Sequence, residues 1–358
     1  MYLPKRSILH LEVKNMYKNM RPGKTWYDNN KKRIHAHGGS ILYAEGKFWW
    51  YGENKEDITG RATGEQCPYW HHGVKLYSST DLYNWTDEGF CVAESADENN
   101  PFHPKHIMDR PHILYNEKSG KYVLWAKTTY NGDFGVCSFS ICVGDSLKNM
   151  QFVKNIIPTP HHAGDFDMFV YKGKGYIVYE NPHFELVLRE LTDDFTDVTD
   201  VYSTHFRAEC PPFVREAPAV FSYKDKLYML TSGTTGYYPN PTELADITNL
   251  HGEWINLGNP CRGDKNKNSY NSQFSSVFQH PTKPNTYVAL GDRWLVDLTE
   301  DLPDMMDVFY RTYGPKKESI DTVPFSDENT SLATYVWLPI HFDENDKPYL
   351  CWEQVWTL

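Results

Sequence analysis

Short apolar runs alternating with polar positions, rather than stripes at helical spacing, dominate this chain. KFWWYGE, KYVLWAK, GYIVYE and KLYMLTS are aromatic or β-branched, and most follow a Gly, Lys-Gly or Asp-Lys turn, as strands leaving hairpins do. Five times a small or polar start leads into an apolar strand, a turn and an aromatic strand. The copies are HGGSILYAEGKFWWYGE, DRPHILYNEKSGKYVLWAK, DFDMFVYKGKGYIVYE, REAPAVFSYKDKLYMLTSG and SQFSSVFQHPTKPNTYVALGDRW. Between them GVKLYSSTDLYNWTDEG, FSICVGDSLKNMQFV and LVLRELTDDFTDVTD each read as an outer strand, an Asp-rich turn and a last strand. Inner and outer pieces make four strands per unit. Five such units predict an all-β fold: a five-bladed β-propeller of four-stranded antiparallel blades around a central axis.

The closing TYVWLPIHFDENDKPYLCWEQVW, about 334–357, is a hairpin expected to complete the fifth blade. The stretch from about Asp301 to Ser331 is polar and weakly patterned, and is expected to be a long loop over one face. Neither a low-complexity linker nor a composition shift interrupts the pattern, so residues 1–358 are expected to form a single domain. Five blades of about 50–70 residues each would use nearly all of it.

Composition sharpens this picture. Aromatic residues make up 15% of the 358, with 11 Trp and 25 Tyr, which suits packing between blades and stacking on sugar rings. The net charge of −11 argues against nucleic acid or an anionic membrane as partner and favours neutral or cationic ligands. Seven cysteines without a CxxC pair read as buried thiols of a reducing compartment, not a disulfide framework. The start MYLPKRSILHLEVKN lacks the apolar run of a signal peptide, so a cytoplasmic location is expected. No stretch approaches the roughly 18 apolar residues of a membrane span.

In a propeller the innermost strands line one axis, so polar groups distant in sequence meet there. The five copies open with His37, Asp109, Asp167, Glu216 and Gln273. Two carboxyl groups, one protonated and one ionised, are the minimum for most glycoside hydrolysis. Glu216, between Arg215 and Ala217-Pro218, sits at a restricted strand start among other carboxylates. Desolvation and like charge would raise its pKa, as a general acid needs. A glutamate simply paired to Arg215 is the competing reading. The histidine pairs 35/37, 71/72, 103/106 and 161/162 lack the spacing of a zinc module and read as loop or pocket residues, with no metal ligand assigned. His37 alone is expected to face the axis and bind substrate. No cofactor is required, although a lone structural Ca²⁺ or Na⁺ on the axis is compatible with the pattern.

The strings AHGG (36–39), WYGENK (50–55), REAPA (215–219), TSGTTGYYPN (231–240), GDRW (291–294) and YVWLPI (335–340) make the chain resemble glycoside hydrolase family 43, closest to its exo-β-1,3-galactanase branch. The resemblance implies an inverting, exo-acting glycosidase that releases terminal galactose from β-1,3-linked galactan or galacto-oligosaccharides. It implies Glu216 as general acid, Asp167 as the residue that orients it, and Gln273 as holder of the attacking water in place of a missing first-blade Asp. Inversion implies an acid-to-water-site separation of roughly 6.5–9.5 Å. Glu53, Asp109, Glu180 and Asn181 are expected to bind sugar hydroxyls, with Tyr130, Thr235 and Trp294 as further contacts. DRPH at 109–112 stands where the branch has ERPK, shortening one carboxylate by a methylene. Three alternatives remain at this level: an α-L-arabinofuranosidase or β-xylosidase, a phosphorylase using Arg110, Arg215 or Arg293, and a non-catalytic carbohydrate-binding propeller.

Overall fold

The computed structural model describes residues 17–58, 69–130, 136–299, 301–315 and 323–358. The start MYLPKRSILHLEVKN and Cys67 lie outside the described residues. Blade 1 comprises β1 (His37–Ala44), β2 (Lys47–Glu53), β3 (Val74–Ser79) and β4 (Thr86–Val92). Blade 2 comprises β5 (Ile107–Asn116), β6 (Lys121–Thr129), β7 (Cys137–Gly144) and β8 (Gln151–Ile156). Blade 3 comprises β9 (Phe166–Tyr171), β10 (Lys174–Asn181), β11 (Glu185–Leu191) and β12 (Val198–His205), and blade 4 β13 (Arg215–Tyr223), β14 (Lys226–Gly233), β15 (Glu243–Asp246) and β16 (Ile255–Gly258). Each is a meander in chain order. The first strands touch in a cycle, β1 to β5 to β9 to β13 to the first long strand of blade 5 and back, which closes the ring. This is the five-bladed propeller that the strand repeats predict.

Blade 5 departs from the simple repeat. Its meander is β18 (Gln273–Gln279), β19 (Tyr287–Arg293), β20 (Thr334–Phe342) and β21 (Pro348–Cys351), and a two-residue strand, β17 (Cys261–Arg262), adds in parallel to β21 at the rim. The C-terminal hairpin thus supplies the outer strands, as expected, but it ends at Cys351. The chain then turns back so that Trp356 exchanges backbone hydrogen bonds with Met20. The expected loop between β19 and β20 instead contains a helix, α1 (Met305–Tyr313). Asp304 caps it by accepting from the backbone N–H groups of Met306 and Asp307. Nine residues with two buried positions, Met305 and Val308, are too short a stripe to register as helical periodicity.

Five apolar clusters fill the five gaps between blades, and the aromatic excess resides largely there. The densest joins blade 5 to blade 1, where Trp26, Trp50, Trp85, Tyr335 and Trp337 pack together. Trp50 and Trp337 meet edge to face at 4.6 Å between ring centroids. Trp356 Nε1 donates to the carbonyl of Trp337 at 2.9 Å, so the C-terminal segment clasps the same cluster. The six described cysteines are free thiols. Among the described residues no helix is long and apolar enough to cross a membrane.

Trp337 is 2% exposed, and truncating it opens the one interface that joins the last blade to the first. Trp337→Ala should cost about 3–5 kcal/mol in urea denaturation. A loss below about 1 kcal/mol would show that ring closure does not depend on this cluster.

Candidate active site

Four of the five axial strands shift register close to their starts. The shifts fall between His37 and Ser40, Asp109 and His112, Glu216 and Ala219, and Phe274 and Ser276. Such bulges bend a strand and re-aim its side chains. In three of them the residue after the chemically able one has left-handed backbone: Gly38 (φ 60°), Arg110 (φ 54°) and Ala217 (φ 49°). For Arg and Ala this costs on the order of 1 kcal/mol, held in place by the surrounding sheet. At Gly38 a Cβ would strike Glu53 Oε1, so the glycine clears the space that this carboxylate occupies.

Polar residues from these bulged starts and from neighbouring strands surround a cavity of about 550 Å³ to which every blade contributes: Glu53, Asp109, Asp165 with Glu180, Glu216 and Gln273. Arg110 lies at its centre. Its Nη2 pairs with Asp165 Oδ2 at 3.1 Å and also donates to Gln273 Oε1, while its backbone N–H donates to Glu53 Oε1 at 3.0 Å. Lys127, half-buried, is a second cation at the cavity, 2.8 Å from Asp165 and 3.2 Å from Asp109. Glu53 also pairs with the buried Lys55 at 2.9 Å.

These neighbours set the protonation states. Burial would raise the pKa of Asp165, but Arg110 and Lys127 overcome it, and the backbone N–H of Ala217 adds to them; the pKa falls to about 2. Glu216 goes the other way. Burial, then the negative charges of Asp165 and Glu180, raise its pKa well above the usual carboxylate range against the pull of Arg110 and Lys127. One carboxyl is therefore held as an anion and its neighbour as an acid. That division of labour is the electrostatic requirement for proton donation at neutral pH.

The amide of Gln273 is held on both sides. Its Oε1 accepts from Trp294 Nε1 at 3.0 Å and from Arg110, and its Nε2 donates to Ser232 Oγ at 2.8 Å and to Glu216 Oε1 at 3.3 Å. Glu216 and Gln273 thus share one cavity and touch, rather than standing roughly 6.5–9.5 Å apart. The two donors on Oε1 are the cause, because they turn Nε2 toward the acid.

Glu53, Asp109, Glu180, Thr235 and Trp294 all line the cavity. Thr235 Oγ1 is engaged by the Tyr238 carbonyl and by Asn240 Nδ2. Four expected residues are placed elsewhere. Asp167 is walled in between blades, accepting from the backbone N–H groups of Met168 and Val220 at 2.7 Å each. Burial raises its pKa to about 7, and it faces His112, whose own pKa burial lowers to about 3. The neighbour of Glu216 is Asp165, the other acidic residue near the start of the DFDM motif. Because β9 begins at Phe166, Asp165 lies just ahead of the strand and reaches the cavity, while Asp167 is inside the sheet. His37 is fully buried under the cavity, with Nδ1 2.8 Å from Asp292 Oδ1 and its ring stacked on Tyr335. Asn181 accepts from the His162 backbone, and Tyr130 packs on His106 beside Asn155; neither is among the described residues lining the cavity.

Arg215, the alternative partner of Glu216, instead donates to Thr231 and to the carbonyl of Pro241. Arg293 donates to the carbonyls of Tyr270 and Asn271. A phosphate would therefore meet Arg110 alone among these three, and that guanidinium is already paired to Asp165. Among the described residues no group of three or more His, Cys, Asp or Glu side chains is arranged to hold a metal ion.

A propeller whose axial cavity holds a half-buried acid beside a buried carboxylate anion has the groups that glycosidic hydrolysis requires, and the comparisons agree. The chain belongs to glycosyl hydrolases family 43, whose sequence profile matches residues 39–295. It is similar in structure to a family 43 β-1,3-galactosidase (25% identity, TM-score 0.77), covering 95% of this chain but 63% of that one. A second β-1,3-galactosidase, bound to galactodeoxynojirimycin, is 27% identical with TM-score 0.75, covering 95% of this chain and 100% of the other. The exo-β-1,3-galactanase of Phanerochaete chrysosporium, bound to β-1,3-galactotriose, shares the fold at 18% identity, with TM-score 0.75 and coverage of 96% and 68%. No curated protein matches the chain by sequence.

The buried Asp167 has a testable signature. Its folded pKa, raised from 3.8 to about 7, means that the fold prefers the protonated form. Its contribution to stability is therefore fullest below pH 3.8 and is lost as pH rises through 7. In urea titrations wild type should lose stability relative to Asp167→Asn between pH 4 and pH 7, while both keep the same pH–rate profile for hydrolysis. A flat difference, or a shifted rate profile, would return Asp167 to the catalytic set.

Proposed function

We propose that this glycosidase removes terminal galactose from the end of β-1,3-linked galactan or galacto-oligosaccharides, with inversion at the anomeric carbon. The observation that carries this reading is the pairing of a half-buried Glu216, whose pKa its surroundings raise, with an oriented amide, Gln273, inside one cavity. The galactose-directed chemistry named for the two similar β-1,3-galactosidases supports the choice of sugar.

In this reading Glu216 protonates the glycosidic oxygen, and Asp165 keeps that proton on Glu216 until the bond breaks. The terminal sugar replaces the hydrogen bond between Gln273 and Glu216, parting the two groups. Gln273 then positions water rather than taking its proton; that proton passes to solvent as the new C–O bond forms, and solvent reprotonates Glu216. An imidic acid tautomer would carry a hydroxyl at Oε1, yet both neighbours of that atom are donors, Arg110 and Trp294. Nε2 remains to donate to water, and an oxocarbenium-like centre needs orientation of its nucleophile more than a strong base. Glu53 and Asp109 are the acceptors for sugar hydroxyls.

Glu216→Gln should cut turnover of β-1,3-galactobiose by about 10²–10⁴-fold while calorimetry still detects the sugar. Near wild-type turnover would remove Glu216 from the acid's role. NMR should show α-galactose as the first product, and a β-anomer would refute inversion.

Asp165→Asn should move the alkaline limb of kcat/KM to lower pH. Removing the like charge and freeing Arg110 and Lys127 both lower the Glu216 pKa, and activity depends on that group remaining protonated. An unmoved or raised limb would separate Asp165 from Glu216.

A further inference from the structure

The cavity has a polar floor and an aromatic mouth. Glu53, Asp165, Glu216 and Gln273 lie deep, whereas Tyr313 at the end of α1 also lines the cavity and is 61% exposed. Phe309, one turn earlier on α1, and Tyr237, in the turn after β14, line the same side.

This wall is fixed rather than loosely draped. Met305 and Val308 of α1 pack with Tyr238, Trp294, Leu295 and Ala333, and Phe309 packs against the same cluster. A Cβ on Gly233 would strike the Met306 side chain, so the helix rests directly on the end of β14. Tyr238 Oη donates to the carbonyl of Pro324 at 2.7 Å, tying the returning chain to the same turn. Trp294, which holds the Gln273 amide, is part of this cluster and packs on Tyr237 at 5.5 Å. The wall and the water-positioning amide therefore share one support.

Resting on the galactosidase reading above, we propose that Tyr237, Phe309 and Tyr313 form the leaving-group subsite. They take the sugar on the far side of the scissile bond by stacking. A terminal galactose that reaches Glu216 fills the floor, so the rest of the chain must leave through the mouth. There the wall formed by α1 and the turn after β14 offers rings, alongside the polar groups of His183 and Glu328. The apolar C–H face of a galactose ring matches that surface, and the three rings provide contact area at low entropic cost.

The test compares two substrates of different leaving group: β-1,3-galactotriose, which has a leaving sugar, and β-galactosyl fluoride, which has none. Tyr313→Ala should lower the triose-to-fluoride ratio of kcat/KM roughly two- to tenfold, mainly through the KM for triose. Tyr313→Trp should restore or raise the ratio. Because Tyr313 is exposed, an unchanged thermal melt will certify the fold. An unchanged ratio in folded Tyr313→Ala, or an equal loss on both substrates, overturns the subsite while leaving the galactosidase reading intact. Failure of wild type to hydrolyse either substrate overturns both.

Discussion

One guanidinium makes the rest of this site physically possible. Carboxylates taken out of water are expensive, and here several crowd one axial cavity. Arg110 neutralises Asp165, hydrogen-bonds Gln273 and offers its backbone N–H to Glu53, so three other blades are pinned to one residue. Its left-handed backbone is the local cost of pointing it inward. With Lys127 it supplies positive charge for the anion Asp165 but not enough to ionise Glu216 as well. The contrast between the two acids is thus a property of the cluster rather than of either residue.

The same economy appears in the fold. Each blade is a short meander that buries its two faces only against its neighbours, and all five gaps are filled by large rings and branched chains. The seam between blades 5 and 1 has the most tryptophan, where the cycle must close without covalent help. Rigid closure matters for chemistry because the cavity residues arrive from five separate sheets. A shift of one blade would move Gln273 relative to Glu216.

Much of this was legible in the chain. Period-two alternation, turn residues and five-fold recurrence delivered strands, blades and ring. The first-strand positions brought Asp109, Glu216 and Gln273 to one cavity because the repeat aligns them. What alternation could not convey was where each axial strand begins and where it bulges. In the DFDM region two acids two residues apart share a face in any ideal strand, and only the true start of β9 separates cavity-lining Asp165 from sheet-buried Asp167. His37 occupies an equivalent start yet is drawn under the floor by Asp292 and Tyr335, partners 255 and 298 positions away. The helix α1 escaped notice because most of its contacts are made with Trp294 and Tyr238 rather than within itself.

The cavity lining also has an electrical preference. Six carboxyl groups, Glu53, Asp109, Asp165, Glu180, Glu216 and Glu328, face Arg110, Lys127 and His183. Even with Glu216 protonated, negative charge prevails. A sugar ring that gains positive character as its bond breaks is drawn in, and an acidic sugar such as a uronate is repelled. Under the proposed removal of terminal units, such a pocket would advance along the neutral units of a decorated polysaccharide and halt at the first one bearing a carboxylate, so the pattern of decoration would set the length of each run.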